Sequence, residues 1–222
     1  RNVLCTDKTG TLTLGSIALT GHPGVDGADS RRVLELAAVN SGFERHQRNP
    51  LDAAILAGAR DLPLGDWHGL AEVPFDLDRR RASVLAEHAG RRLLIVKGAP
   101  EDIIALSSAV ERTDGSAHPL DAAGRAELDK SCHDKTAQGF RCVGVAWREF
   151  AGERPTSADE TQLTFAGFCV FLDPPKETAA AAIKRLEAAG IRIKIISGDA
   201  APTVQHLVKS LDMPARGILT GA

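Results

Sequence analysis

Two short apolar runs at opposite ends of the 222-residue chain constrain its fold more than any other feature. Asn2-Val3-Leu4-Cys5-Thr6 reads as a buried strand and stops at Asp7-Lys8-Thr9-Gly10-Thr11-Leu12-Thr13. Residues 191–196 form a second run, and it stops at Ser197-Gly198-Asp199. A carboxylate in a Gly-bearing loop at the carboxyl end of a strand sits where open α/β sheets bind ligands. Asp7 is placed there to act as a nucleophile that takes a phosphoryl group as an acyl phosphate. Lys8, the loop N–H groups and the Thr9 and Thr11 hydroxyls would supply positive potential and hydrogen bonds to the transferred group. The plain alternative is a polar turn whose Asp and Thr side chains bond the local backbone, with Asp199 as an ordinary helix cap.

Between the two runs the pattern changes. Residues 14–20 alternate weakly, as an exit strand would. Ser30 caps a helix over 31–40, and Asn49-Pro50 opens another over 51–59. Runs at 83–87 and 91–96, joined by Ala89-Gly90, read as a hairpin. Helices follow at 100–107 and 121–137, with a turn at Thr113-Asp114-Gly115-Ser116 and a strand at 141–147. This middle region is α+β. The end of the chain differs: a buried strand at 165–172, an amphipathic helix at 176–189, the strand at 191–196, a helix at 203–211 and a further strand start at Gly217-Ile218-Leu219. Strand–helix–strand at that spacing is a parallel, doubly wound pattern. Residues 1–15 and 166–222 are therefore expected to build one parallel α/β domain, interrupted by a second domain over 16–165, with paired connections that serve as a hinge.

Composition narrows the function. A net charge of −2 gives no basic field to recruit nucleic acid, and no apolar run approaches the length needed to span a bilayer. The first residue is Arg1, so the sequence reads as a piece of a longer protein. Cys5, Cys132, Cys142 and Cys169 form no CxxC pair and have no His at metal-ligand spacing; they are expected to be buried, reduced thiols.

The string DKTGTLT resembles the phosphorylation signature of the P-type ATPases, membrane pumps that cycle through an aspartyl phosphate, and further strings agree with it in order along the chain. Ser197-Gly198-Asp199 is similar to the family's Thr-Gly-Asp, with Ser keeping the hydroxyl. Leu172-Asp173-Pro174-Pro175 matches its Asp-Pro-Pro return segment, which also reads as a rigid hinge. Val96-Lys97-Gly98-Ala99-Pro100-Glu101 matches its nucleotide-domain signature, and Pro74 to Val84 the stretch whose Phe stacks on adenine. The resemblance implies a haloacid-dehalogenase-like phosphorylation domain, incomplete at its C-terminus, split by an inserted α+β nucleotide-binding domain with an antiparallel sheet. It implies Asp7 as nucleophile with Lys8, Thr9 and Ser197 around the phosphoryl group. It also implies Mg²⁺ held by Asp7 and the Thr9 backbone carbonyl. ATP would be bound by Asp52 at the adenine amino group, Phe75 stacked on the ring, Arg80, Lys97, Gly98 and Arg141 along the nucleotide, and Asp173, Gly198 and Asp199 near the ribose or phosphates.

Otherwise, three consecutive arginines at 79–81 read as a solvated strand edge, Lys97 as a solvent-facing turn residue, and Asp52 and Arg141 as surface charges. Where soluble phosphatases of this fold keep an acid, the chain has Thr9, which implies a long-lived acyl phosphate. NPLDAAIL, PFDLDRRRASV and FLDPPKET look most like the bacterial magnesium-transporting branch. The implied setting is the cytoplasmic face of a membrane, with the transmembrane and actuator parts of the pump as partners. The family's further Lys and its Gly-Asp-Gly-x-Asn-Asp segment are not in the sequence, so the chain is expected to bind ATP yet autophosphorylate poorly or not at all. Competing readings are a pump for another cation, a freestanding haloacid-dehalogenase-type phosphatase and a nucleotide-binding module without chemistry.

Overall fold

The computed structural model describes residues 2–44, 49–198, 201–214 and 217–219. The chain divides into two compact units: Arg1–Ala18, Asp134–Arg141 and Leu172–Ala222 in one, Leu19–His133 and Cys142–Phe171 in the other.

The larger unit is built on an eight-stranded sheet. Its strands are β2 (Ala18–Gly21), β3 (His68–Asp76), β4 (Arg81–His88), β5 (Arg91–Gly98), β6 (Ser107–Glu111), β7 (Ala117–Pro119), β8 (Arg141–Glu149) and β9 (Leu163–Leu172). They lie in the order β3-β4-β5-β8-β9-β6-β7, with β2 added on β9. β4 and β5 are the expected hairpin: Ala89 (φ 50°) and Gly90 (φ 74°) both take the left-handed region that a two-residue primed turn demands. The sheet is not wholly antiparallel, because β6 runs parallel to β9.

Two helices of this unit position the site. α1 (Arg31–Phe43) starts at Ser30, whose hydroxyl accepts from Val33 N–H. α2 (Pro50–Gly58) starts at Asn49 with a complete capping box and Pro at its first turn. α1 outlasts its expected end by three residues and keeps its buried stripe from Val33 through Ser41. α3 (Pro100–Leu106) and α4 (Ala122–Ala137) follow. Leu36, Ile55, Leu85, Leu94, Ile95, Phe165, Phe168 and Phe171 are fully buried in the core.

The smaller unit has a two-stranded parallel sheet of β1 (Val3–Asp7) and β10 (Arg192–Ile196). Helices α5 (Ala179–Ala188) and α6 (Ala201–Ser210) pack with Leu12, Leu211, Ile193 and Ile195 into its core around Ile183 and Leu207.

Several expectations change here. The unit changes at 18/19 and 171/172, where 15/16 and 165/166 are expected, and Asp134–Arg141 is counted with the smaller unit. β9 is not the parallel neighbour of β10; β1 is. An apolar run such as 165–171 reports burial on both faces but not which sheet supplies it, and here β8 and β6 flank it. β3 was hidden by Gly69 and Pro74, which an edge strand tolerates, and β7 by its three-residue length. Among the described residues Gly217-Ile218-Leu219 carries no strand. The thiols differ too: only Cys169 is buried, Cys132 and Cys142 are half-buried, and Cys5 is exposed.

Candidate functional site

In the smaller unit the sheet register brings the two end motifs together. Asp7 pairs with Ile196 as the last residues of two parallel strands, so Lys8-Thr9-Gly10 and Ser197-Gly198 leave the sheet from the same end. The loop after Asp7 is a single irregular turn, Lys8–Leu12, in which Gly10 has φ 75°. Asp7 is exposed, and its Oδ1 accepts from Lys8 N–H at 2.8 Å. Thr13 closes the turn by donating from its amide to Lys8 O at 3.2 Å.

Asp173 holds this loop in place. Its Oδ2 accepts from Thr13 Oγ1 at 2.6 Å and lies 3.8 Å from Lys8 Nζ, while its Oδ1 accepts from Gly15 N–H at 3.0 Å. Lys176 Nζ adds a bond to Gly10 O at 2.6 Å, and backbone bonds join Leu14 to Pro174 and Lys176 to Leu12. The Asp-Pro-Pro-Lys segment is thus a brace under the Asp7 loop. Thr9 and Gly198 are exposed and Ser197 is half-buried. Asp199 lies outside the described residues. Among the described residues no three His, Cys, Asp or Glu side chains gather as a metal site. Mg²⁺ does not require one: it keeps several waters and takes one or two protein oxygens beside substrate phosphates. Asp7 and the Thr9 carbonyl are oxygen donors of that kind on an exposed loop.

In the larger unit, Lys97 and Asp52 meet inside the protein. Lys97, near the end of β5, is only 7% exposed, and Asp52 in the first turn of α2 is fully buried. Lys97 Nζ bonds Asp52 Oδ1 and Ser41 Oγ (2.7 Å), with Glu44 Oε2 at 3.8 Å. Asp52 Oδ1 also accepts from Ser41 Oγ at 2.8 Å, and Oδ2 accepts from Asn49 N–H at 3.1 Å. Both Asp52 oxygens are therefore occupied by the protein itself. Neither residue is the surface charge or solvent-facing turn residue of the plain reading.

Phe75 is on the same transverse row of the sheet. Lys97 pairs with Ala82, and β3 carries one extra residue between Val73 and Asp76, opposite that same Ala82. The extra residue makes a bulge at Pro74-Phe75, a device that re-aims a side chain, and Phe75 is left 37% exposed. Gly98 faces Arg81 across the hairpin, and a Cβ on it would fall 2.5 Å from Arg80 O and 2.4 Å from Arg81 Cβ. The close approach that Gly98 permits here is to the 80–81 backbone. Arg80 (φ 51°) is exposed and bound by α3, with Nε and Nη2 on the Asp102 carboxylate at 3.0 and 2.9 Å and Nη1 on Glu101 at 2.9 Å. The bond to Asp102, and then that to Glu101, hold its guanidinium above the ordinary range. Arg141 is exposed at the first position of β8.

Sequence reading missed the partners that complete this unit. Glu160 is fully buried and accepts from Arg79 Nη1 (2.7 Å to each oxygen), Arg81 Nε (2.6 Å) and Ser83 Oγ. Two of the three consecutive arginines are thus half-buried over an internal carboxylate. Ser41 and Glu44 were legible in principle: continuing the helical period of Val33, Leu36 and Ala37 by one turn puts Asn40, Ser41 and Glu44 on the buried stripe. Asn40 lies there, donating to Ile95 O (2.9 Å) and Ala82 O (3.3 Å).

The larger unit thus holds a buried Lys97–Asp52 cluster and an exposed Phe75, the smaller unit an exposed strand-end carboxylate loop, and comparison places the chain in a family. Residues 33–178 match the model of the P-type ATPase cytoplasmic domain N, and the chain belongs to that family. It is 38% identical over 229 residues to the "Magnesium-transporting ATPase, P-type 1" of Escherichia coli (strain K12), which covers 100% of this chain and 25% of that protein. A "Magnesium-transporting ATPase, P-type 1" of Salmonella typhimurium (strain LT2) is 40% identical over 230 residues, 99% of this chain and 25% of that protein. The "Calcium-transporting ATPase" of Bacillus subtilis (strain 168) is 28% identical over 255 residues, 95% of this chain and 28% of that protein. The chain spans about a quarter of the length of these relatives.

Proposed function

We propose that this chain is the nucleotide-binding portion and part of the phosphorylation portion of a P-type ATPase that transports magnesium. The observation that carries the reading is the parallel register of β1 and β10, which ends Asp7-Lys8-Thr9-Gly10-Thr11 and Ser197-Gly198 at one sheet edge. Two motifs separated by more than 180 residues have no local reason to meet; a shared anion site at strand ends is such a reason. The choice of magnesium over calcium is supported by the higher identity to the magnesium-transporting relatives over the whole chain.

In this reading Phe75 stacks on the base of ATP, the Lys97 and Asp52 pair shapes the wall beside it, and Arg80 and Arg141 supply positive charge. An Asp7 carboxylate oxygen attacks the γ-phosphorus as the bond to the ADP oxygen breaks, so ADP leaves and Asp7 carries the phosphoryl group. Lys8, braced by Asp173, and the Ser197 hydroxyl stabilise charge on the transferred oxygens. Asp7 and the Thr9 carbonyl would hold Mg²⁺, which would supply further charge neutralisation there. The smaller unit then belongs to a haloacid-dehalogenase-like domain interrupted by the inserted nucleotide domain, on the cytoplasmic face of a membrane with the transmembrane and actuator parts of the pump. No helix among the described residues is long and apolar enough to cross a membrane itself.

Calorimetric titration of the chain with ATP tests the reading. Saturable binding is expected, weakened roughly tenfold in Phe75→Ala by loss of base stacking. A folded chain that takes up no ATP, or a Phe75→Ala variant that binds as well as the parent, overturns it.

A further inference from the structure

The connection between β8 and β9 sets one buried carboxylate, Glu160, against Arg79, Arg81 and Ser83 of the larger sheet. Glu160 follows a short 3₁₀ turn, Ser157–Asp159, and is buried as a carboxylate with donors on both oxygens. A buried carboxylate with this many donors is held in one geometry, since removing any donor leaves charge uncompensated. Arg79 is the donor with a second task. While its Nη1 bridges both Glu160 oxygens, its Nη2 donates to Pro74 O at 2.6 Å. Pro74 is the residue before Phe75 and, having no N–H, gives this side of the bulge no ladder bond of its own. Arg81 reinforces the arrangement, donating from Nη1 to Arg79 O at 3.0 Å and from Nε to Glu160. The guanidinium fork of Arg79 therefore ties the bulge carbonyl to a fully buried carboxylate from a segment some 80 residues later in the chain.

We propose that Glu160 and Arg79 are positioning residues for nucleotide binding: they hold the Pro74-Phe75 bulge so that the Phe75 ring is presented for stacking before the nucleotide arrives. The inference rests on the reading that Phe75 stacks on the base. It assigns neither Glu160 nor Arg79 a contact with the nucleotide. Preorganisation of this kind adds affinity by removing the ordering cost from the binding step.

A double-mutant cycle on ATP affinity tests it, with Glu160→Gln, Phe75→Ala and the double variant in the 222-residue chain. Gln keeps the size of Glu160 but turns an amide donor toward two guanidinium groups. Glu160→Gln is expected to weaken ATP binding by about threefold or more in the parent and to have no further effect in the Phe75→Ala background. A purely structural role would lower affinity equally in both backgrounds, and that result overturns the inference, as does an unchanged affinity in the single variant. If Phe75→Ala alone leaves ATP affinity unchanged, the underlying stacking reading fails, and the inference falls with it. Should Glu160→Gln not fold by far-UV circular dichroism, Arg79→Lys takes its place in the same cycle. Lysine keeps the charge beside Glu160 but cannot fork to Pro74 O as well, so the same coupling with Phe75 is expected, and additivity again refutes it.

Discussion

The two units handle their polar chemistry in opposite ways. The eight-stranded unit takes charges inside and satisfies them there: Lys97 with Asp52, and Glu160 with Arg79 and Arg81. The two-stranded unit keeps the Asp7 carboxylate outside. Asp7 is exposed at a strand end, with Val3, Leu4 and Ile196 of the same sheet also open to solvent. A sheet of two strands covers little by itself, so order at the Asp7 loop comes from the Asp173 brace and the helical core under β10. The contrast separates two tasks. On the proposed function, recognition of a nucleotide benefits from a preformed wall, whereas a nucleophile must remain reachable.

Removal of the buried cation should damage the larger unit most. Lys97→Ala leaves Asp52 and Glu44, which are 0% and 3% exposed, without their ammonium partner. Breaking a buried pair from one side costs about 3–5 kcal/mol. At about 2–4 °C per kcal/mol for a domain of this size, the melting transition of the larger unit should fall by roughly 10 °C. An unchanged midpoint in a thermal scan would mean that the cluster is not buried as described.

A smaller and more local effect is expected from Asp173→Asn. The substitution removes the charge facing Lys8 and weakens the bonds from Thr13 and Gly15, at a cost of about 1–3 kcal/mol. Because these partners all belong to the smaller unit, amide exchange at Gly15 should speed up about tenfold or more while β4 and β5 keep their protection. Equal acceleration in both units would show that they unfold together and that the brace does not act on the smaller unit alone.

Much of this architecture was legible in the sequence, for reasons that particular residues show. Ser30, Asn49-Pro50 and Ala89-Gly90 act locally, through caps and a turn that need only their neighbours, and each lies where expected. The meeting of the Asp7 and Ser197 loops was legible because both runs end in the same kind of motif. What stayed hidden depends on distant partners. The apolar run of β9 does not say whether β10 or β6 and β8 will flank it. Arg79 and Arg81 look like surface charge until Glu160, 79 residues after Arg81, is known to lie beneath them. Lys97 reads as a turn residue until α1 runs one turn longer and brings Ser41 and Glu44 to it.

The two units differ last in their thiols, and here the effect on stability changes only above pH 9. Cys5 on β1 is exposed, while Cys169 on β9 is fully buried between neighbouring strands. Burial pushes the Cys169 thiol up to about 12 from its ordinary 9.0, against a lesser opposing pull from Lys97. The folded state thus holds this proton more tightly than the unfolded one. The stability linked to it is fully present below pH 9 and is lost as pH rises from 9 toward 12. A thiol reagent at pH 8 should modify the exposed Cys5 in the native chain and reach Cys169 only as the larger unit opens. Between pH 9 and 12 the urea midpoint of the larger unit should decline, with a shallower decline in Cys169→Ala. Modification of Cys169 as fast as Cys5 in the native chain would place β9 at an open edge instead of inside the sheet.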